Sequence, residues 1–167
     1  YVFNSRSASI GETLIALKIQ ECEEAGMEFE EVVRTVEAYI EGQHTYFVLE
    51  TLETLRKNGR LKGIKSLMAS ALNIKPVMGS TPQGTICQLG QARGIRKALE
   101  KMIDEIVRGV KKPEEKVLAI SHCNCPERAK KVKELLLERI RPKDVIVLDT
   151  AGISSMYAAD GGIIVVV

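Results

Sequence analysis

The stretch "SHCNCPER" sets His122, Cys123 and Cys125 within four residues, just ahead of a proline that suits the first turn of a helix. A helix N-terminus would lower the pKa of Cys125 and favour its thiolate, the form that redox and metal chemistry uses. A structural zinc site needs four ligands, however, and Cys22, Cys87 and His44 are scattered singly with no second CxC or HxxxH. The bland alternative is a pair of thiols in a solvent-side loop.

Three other stretches offer polar chemistry. "NGRLKG" sets Arg60 and Lys62 in a glycine-bounded loop ahead of a helix, which suits a carboxylate or phosphate as well as it suits a surface turn. It lacks the lysine-serine ending of a nucleotide-binding P-loop. "SRSASIG" places Ser5, Ser7 and Ser9 ahead of another helix, where one hydroxyl would cap the first turn and the rest would edge a polar pocket. No GxSxG elbow surrounds them, which removes the usual serine-nucleophile geometry. "SSMYAADGG" holds Ser154, Ser155, Tyr157 and Asp160 before the final strand, either as a tight turn or as a polar cluster at a strand mouth.

Bulk properties narrow the function. A chain of 167 residues supports one domain with a real core, and 45% apolar with 28% charged residues is ordinary for a globular protein. A net charge of +2 with seven aromatics and no tryptophan gives neither the field nor the stacking platform for nucleic acid. No apolar run is long enough for stable membrane insertion. Four cysteines in a chain of this size fit a reducing, cytoplasmic setting.

The elements that must position these residues follow from periodicity. Residues 9–25 read as a helix buried over a wide arc and ended by Gly26; Phe29, Val32, Val33, Val36, Tyr39 and Ile40 form a cleaner amphipathic stripe. "YVFNS" and "TYFVLE" (45–50) read as strands, and "TLETLRKN" as a brief helix stopped at Gly59. Ile64, Leu67, Met68, Ala71 and Leu72 fall at i, i+3, i+4, i+7 and i+8, one face of a helix. "IKPVMGS" and "TICQLGQA" flank the turn signal "STPQG" and predict a hairpin, with Pro76 placed most easily on an edge. Ile95 to Val110 carry the strongest helical pattern. "KVLAIS" (116–121), a helix opening at Pro126 and "DVIVLD" (144–149) read as a parallel β-α-β unit, and "GGIIVVV" as a closing strand. The fold class is α/β, a small mixed sheet covered by helices.

In this order, "NSRSASIGETLIAL", "TYFVLETLETLRKNGRLKG", "SLMASALNIKPVM", "GQARGIRKALEKM" and "ISSMYAADGGIIVVV" resemble the DegV family of bacterial fatty-acid-binding proteins, across nearly the whole chain. The resemblance implies two α/β domains enclosing a long-chain fatty acid, of which this chain matches the later part: 1–167 as a C-terminal DegV-like domain, with 1–50 a linking strand and helices and 51–167 the main α/β unit. The N-terminal domain and its carboxylate-binding motifs are absent from it. The family implies a carrier rather than an enzyme, no cofactor, and for some relatives a separate fatty acid kinase that makes acyl-phosphate for phospholipid synthesis. Arg60 lies in a segment similar to the family's glycine-glycine-arginine, with Asn58 in place of the first glycine. Other members often carry a histidine and a Thr-Gly-Pro-Gly stretch near the end, where this chain has Met156-Tyr157-Ala158.

On this reading Ser7, Ser9 and Arg60 serve the acid head group, and Ile64, Leu67, Met68, Ala71, Leu72 and Ile74 line an aliphatic slot. Each buried methylene contributes about 0.8 kcal/mol, so tight binding needs nearly all of the acyl chain enclosed. The competing readings are an enzyme or a metal or redox protein using Cys123 and Cys125, an acidic-serine site at Ser155 and Asp160, and a protein-interaction module.

Overall fold

Alternating side chains give the sheet two buried faces, and the helices divide between them. The structure, a computed structural model, describes residues 1–61 and 73–167. In chain order the elements are α1 (Ile10–Glu24), α2 (Phe29–Glu41), β1 (Thr45–Val48), α3 (Glu53–Lys57), β2 (Ile74–Ser80), β3 (Ile86–Arg93), α4 (Ile95–Gly109), β4 (Val117–His122), α5 (Pro126–Leu137), β5 (Asp144–Asp149), α6 (Gly152–Ala158) and β6 (Ile163–Val166). The strands form one six-stranded sheet in the order β3-β2-β1-β6-β4-β5. Only β4 and β5 pair in parallel, through α5; the other pairings are antiparallel. The α/β class, the hairpin and the β-α-β unit therefore stand as the sequence reads.

The first face is the larger core. Tyr46 and Val48 of β1, Val77 of β2, Leu118 and Ile120 of β4, and Ile163 and Val165 of β6 pack with Met102, Ile103 and Ile106 of α4 and Val132 and Leu136 of α5. The apolar stripes of α4 and α5 repeat at helical spacing, which is why each buries one side only. The second face turns the alternate residues outward: Phe47, Met78, Ile164, Ala119 and Val166. Helix α1 covers one part of it through Ile10 and Leu14, while Leu55 of α3 and Ala158 of α6 cover another. Helix α2 reaches the fold mainly through α1, by Val36 and Ile40 against Ile15 and Cys22.

Two expectations change. "YVFNS" is not a strand: residues 1–5 have no regular secondary structure, Tyr1 and Val2 are exposed, and among the described residues no strand pairs with them. Pro76 is not on a sheet edge, since β2 lies between β3 and β1. The β1 ladder reaches only Met78 and Gly79, so Pro76 faces a paired strand on its β3 side alone, opposite Gln91. A missing N–H is tolerated there for the reason it is tolerated on an edge. Strand β1, within the first fifty residues, lies in the sheet between β2 and β6.

Candidate functional site

The serine segment is held over the second face by contacts distant in sequence. Ser9 precedes α1 with φ 57° and makes no side-chain cap; its hydroxyl instead lies 3.5 Å from the Ser121 hydroxyl on β4. The capping expectation is thereby overturned, and the positive φ gives the reason: it swings the side chain away from the first-turn amides. Ser7 Oγ lies 3.3 Å from Thr45 Oγ1 on β1, and the Thr45 amide donates to Ser80 Oγ on β2. Ser5 reaches Glu12 at 3.2 Å, and its hydroxyl also donates to the Ser7 carbonyl at 3.3 Å and accepts from the Ser7 amide at 3.4 Å. Gly11 is required for the arrangement, since a Cβ there would sit 2.0 Å from Ser7 Oγ. The hydroxyl row Ser9, Ser121, Ser7, Thr45 escaped sequence reading because Ser9 and Ser121 are 112 residues apart.

Beyond the hydroxyls the same face is apolar. Phe47, two residues along β1 from Thr45, belongs to a cluster with Leu55, Met78 and Ala158, against which Leu61, Tyr157 and Ile164 pack. Arg60 precedes Leu61 in that corner and is exposed; its Nη1 donates only to the Asn58 carbonyl at 3.3 Å, with no carboxylate partner among the described residues. Side-chain alternation along β2 puts Ile74, half-buried, on the same face as Met78. The face thus carries Ser7 and Ser9, Ile74, and the corner that ends in Arg60. Ile64, Leu67, Met68, Ala71 and Leu72 lie outside the described residues. Near this face Leu148, Ile153 and Met156 are 44%, 69% and 50% exposed, an apolar group around the end of β5 and α6.

The "SSMYAADGG" residues do not form one cluster. Ser155 Oγ pairs with Thr150 Oγ1 at 2.9 Å, Asp160 accepts from Asn124 at 2.9 Å, and Tyr157 packs on the apolar cluster. The cysteines part company too. Cys125 packs against the α4–α5 core and Cys123 against the Phe47 cluster, on opposite faces of the sheet. Burial pushes the Cys125 thiol up, outweighing the charge of Arg128. That reverses the expected lowering, because the sulfur turns inward to lie 3.6 Å from the Gly162 carbonyl instead of over the helix amides. The His122 Nδ1 accepts from the Cys125 amide at 3.4 Å. Among the described residues no three His, Cys, Asp or Glu side chains gather in a metal-binding arrangement.

A charged clamp holds the α6–β6 turn in place. Arg128 donates to the Gly161 carbonyl and pairs with Glu50 at 3.0 Å, while Lys75 pairs with Glu50 at 2.8 Å. Burial raises the Glu50 pKa, but the hydrogen bonds from Lys75 and Arg128 outweigh it and hold the carboxyl below its usual 4.5. A carboxyl depressed in the folded state stabilises the fold above its unfolded pKa, and that contribution is lost as pH falls through the folded value. Glu50→Gln is therefore expected to destabilise by about 1 kcal/mol at pH 7, a figure already discounted for partial exposure. The difference from the parent should shrink as pH falls from 4.5 through the depressed folded value. Urea midpoints at pH 7 and pH 3 check this, and an equal deficit at both values would refute the clamp.

Comparison with known proteins places this geometry. A family profile described as an uncharacterised protein, DegV family, matches residues 1–167. The chain belongs to the DegV family. A DegV domain-containing protein of Streptococcus pneumoniae is 32% identical over 164 residues, 98% of this chain and 58% of that protein. A crystal structure of a DegV family protein from Ruminococcus gnavus, refined with vaccenic acid, is 68% identical with a TM-score of 0.97, covering 100% of this chain and 59% of the other. The Streptococcus pneumoniae fatty acid kinase B3 protein, loaded with linoleic acid, is 30% identical with a TM-score of 0.87, covering 99% and 58%. This DegV chain thus spans about three fifths of the length of the relatives it matches. Among its described residues no helix is long and apolar enough to cross a membrane.

Proposed function

We propose that this DegV chain contributes to binding a long-chain fatty acid, as a carrier that presents the acid to a separate fatty acid kinase in the cytoplasm. The observation that carries the reading is the vaccenic acid bound by the Ruminococcus gnavus protein, 68% identical over the whole of this chain. The second face supports it: a row of hydroxyls beside Phe47, Met78 and Ile164 offers donors for a carboxylate next to an aliphatic floor. Exposed Leu148, Ile153 and Met156 fit a site completed by the N-terminal domain of the longer relatives. In this reading the chain is no catalyst; the kinase forms the acyl-phosphate.

Ser7, Ser9 and Arg60 serve the head-group end, and Ile74 with the segment holding Ile64, Leu67, Met68, Ala71 and Leu72 serves the acyl chain. Native mass spectrometry of the purified chain and of a longer form carrying the N-terminal domain, followed by solvent extraction, should release a fatty acid. Finding none in either would end the carrier reading. Arg60, exposed and without a carboxylate partner among the described residues, is assigned to the kinase step. Arg60→Ala should slow acyl-phosphate formation about tenfold, the value of one charge-assisted contact, while leaving acyl retention within a factor of about two. Unchanged turnover would remove Arg60 from the site.

A further inference from the structure

On the sheet face opposite the hydroxyl row, a cleft of about 370 Å³ opens between the start of β2, the end of β3 and the first turn of α4. Lys75, Arg93, Arg96 and Lys97 line it, and Glu50 is its one carboxylate. Glu50 is already neutralised by Lys75 and Arg128. Arg93, Arg96 and Lys97 are exposed and have no ion pair among the described residues, and the first turn of α4 contains no acid to offset them. The result is a positive concavity. Lys57, Arg108, Lys112 and Arg139 each have an acidic neighbour within 2.8 Å. Of the cations with no ion pair among the described residues, Arg93, Arg96 and Lys97 line one cleft together, while Lys111, Lys130 and Arg141 line no part of it.

We infer that this cleft is a docking surface for an acidic segment of a partner protein. Spread, exposed cations around an open cleft match a row of carboxylates better than a single small anion, which would call for buried donors converging on one point. A membrane surface is flat and takes apolar anchors beside the cations; here exposed Ile153 and Met156 belong to α6, which packs on the opposite face, and no exposed large apolar side chain lines the cleft. The assignment holds whether or not the chain carries a lipid.

The test titrates a fluorescent twenty-residue polyglutamate peptide against the protein by anisotropy, with Arg93→Glu/Arg96→Glu/Lys97→Glu compared to Lys111→Glu/Lys130→Glu/Arg141→Glu. Both triple variants change the net charge equally, by six units from +2 to −4. The cleft variant should lose about tenfold or more in affinity and most of its salt dependence, the control less than about threefold. Equal losses would reduce the effect to net charge and overturn the assignment. Displacement of the peptide by millimolar inorganic phosphate would overturn it in favour of a small-anion site. Cleft-dependent binding to phosphatidylglycerol vesicles tighter than to the peptide would overturn it in favour of a membrane. Extracted fatty acid, measured on the same variants, should be unchanged; its absence from every sample would bear on the carrier reading alone.

Discussion

Gly162→Ala is expected to destabilise the protein by about 3 kcal/mol, near the upper end of what overpacking does. A Cβ at Gly162 would lie 2.4 Å from the Ala158 carbonyl oxygen and 3.0 Å from both the Ala158 carbonyl carbon and Leu49 Cδ2. Two of these are backbone atoms, which cannot rotate aside as a side-chain tip can. Relief would have to come from moving the end of α6 off β6. That movement would strain the bond from the Gly162 amide to the Ala159 carbonyl and the one from the Cys123 amide to the Gly162 carbonyl. It would also lift Ala158 and Tyr157 from the Phe47 cluster. Gly26 provides the comparison: its φ is 69° and a Cβ there meets nothing within 4 Å, so alanine should cost only about 1 kcal/mol of backbone strain. For a chain of this size the Gly162 variant should melt about 6–12 °C lower and the Gly26 variant about 2–4 °C lower. Equal shifts would mean that the close approach of α6 to β6 is not real.

The contrast between these glycines shows which features the sequence makes legible. Gly26 and Gly59 act locally, ending helices whose periodicity is plain, and the structure has them where the pattern puts them, with φ of 69° and 68°. The hairpin and the β-α-β unit are equally local: the turn chemistry of "STPQG" and the crossover helix at Pro126 leave little choice. Gly162 acts through Ala158 and Leu49, and Gly11 through Ser7, partners that periodicity does not specify. The same limit explains the misreadings. "YVFNS" has strand composition, but a strand is made by its neighbour, and among the described residues none pairs with it. Ser9 has cap chemistry, but a backbone angle set by packing sends its hydroxyl to Ser121. Cys125 has the position of an activated thiol, yet burial, which is a tertiary property, decides its direction. What the sequence made legible beyond the elements was the family, through the order of several ambiguous motifs taken together, and a DegV family profile matches residues 1–167.

In the proposed reading Ser7 and Ser9 serve the lipid head group, and the geometry turns that reading into a measurable difference. Their hydroxyl contacts, 3.3 Å to Thr45 and 3.5 Å to Ser121, are long, so both donors can be redirected to a carboxylate at little loss. Each hydrogen bond to a charged group contributes about 1.5–3 kcal/mol, and removing two would naively weaken binding more than a hundredfold. Thr45 and Ser121 remain as substitute donors beside the vacated positions, which brings the expected loss for Ser7→Ala/Ser9→Ala down to about ten- to a hundredfold. The fold should survive, since both serines are half-buried and neither caps α1. A methyl ester of the same acid has no charge to satisfy, so its affinity should change less than about threefold. The ratio of the two affinities, measured by displacement of a fluorescent fatty acid, separates head-group recognition from support of the fold. If acid and ester weaken together, the hydroxyl row only shapes the slot. If neither weakens, the carboxylate lies elsewhere, and the Arg60 corner of the same face becomes the place to look.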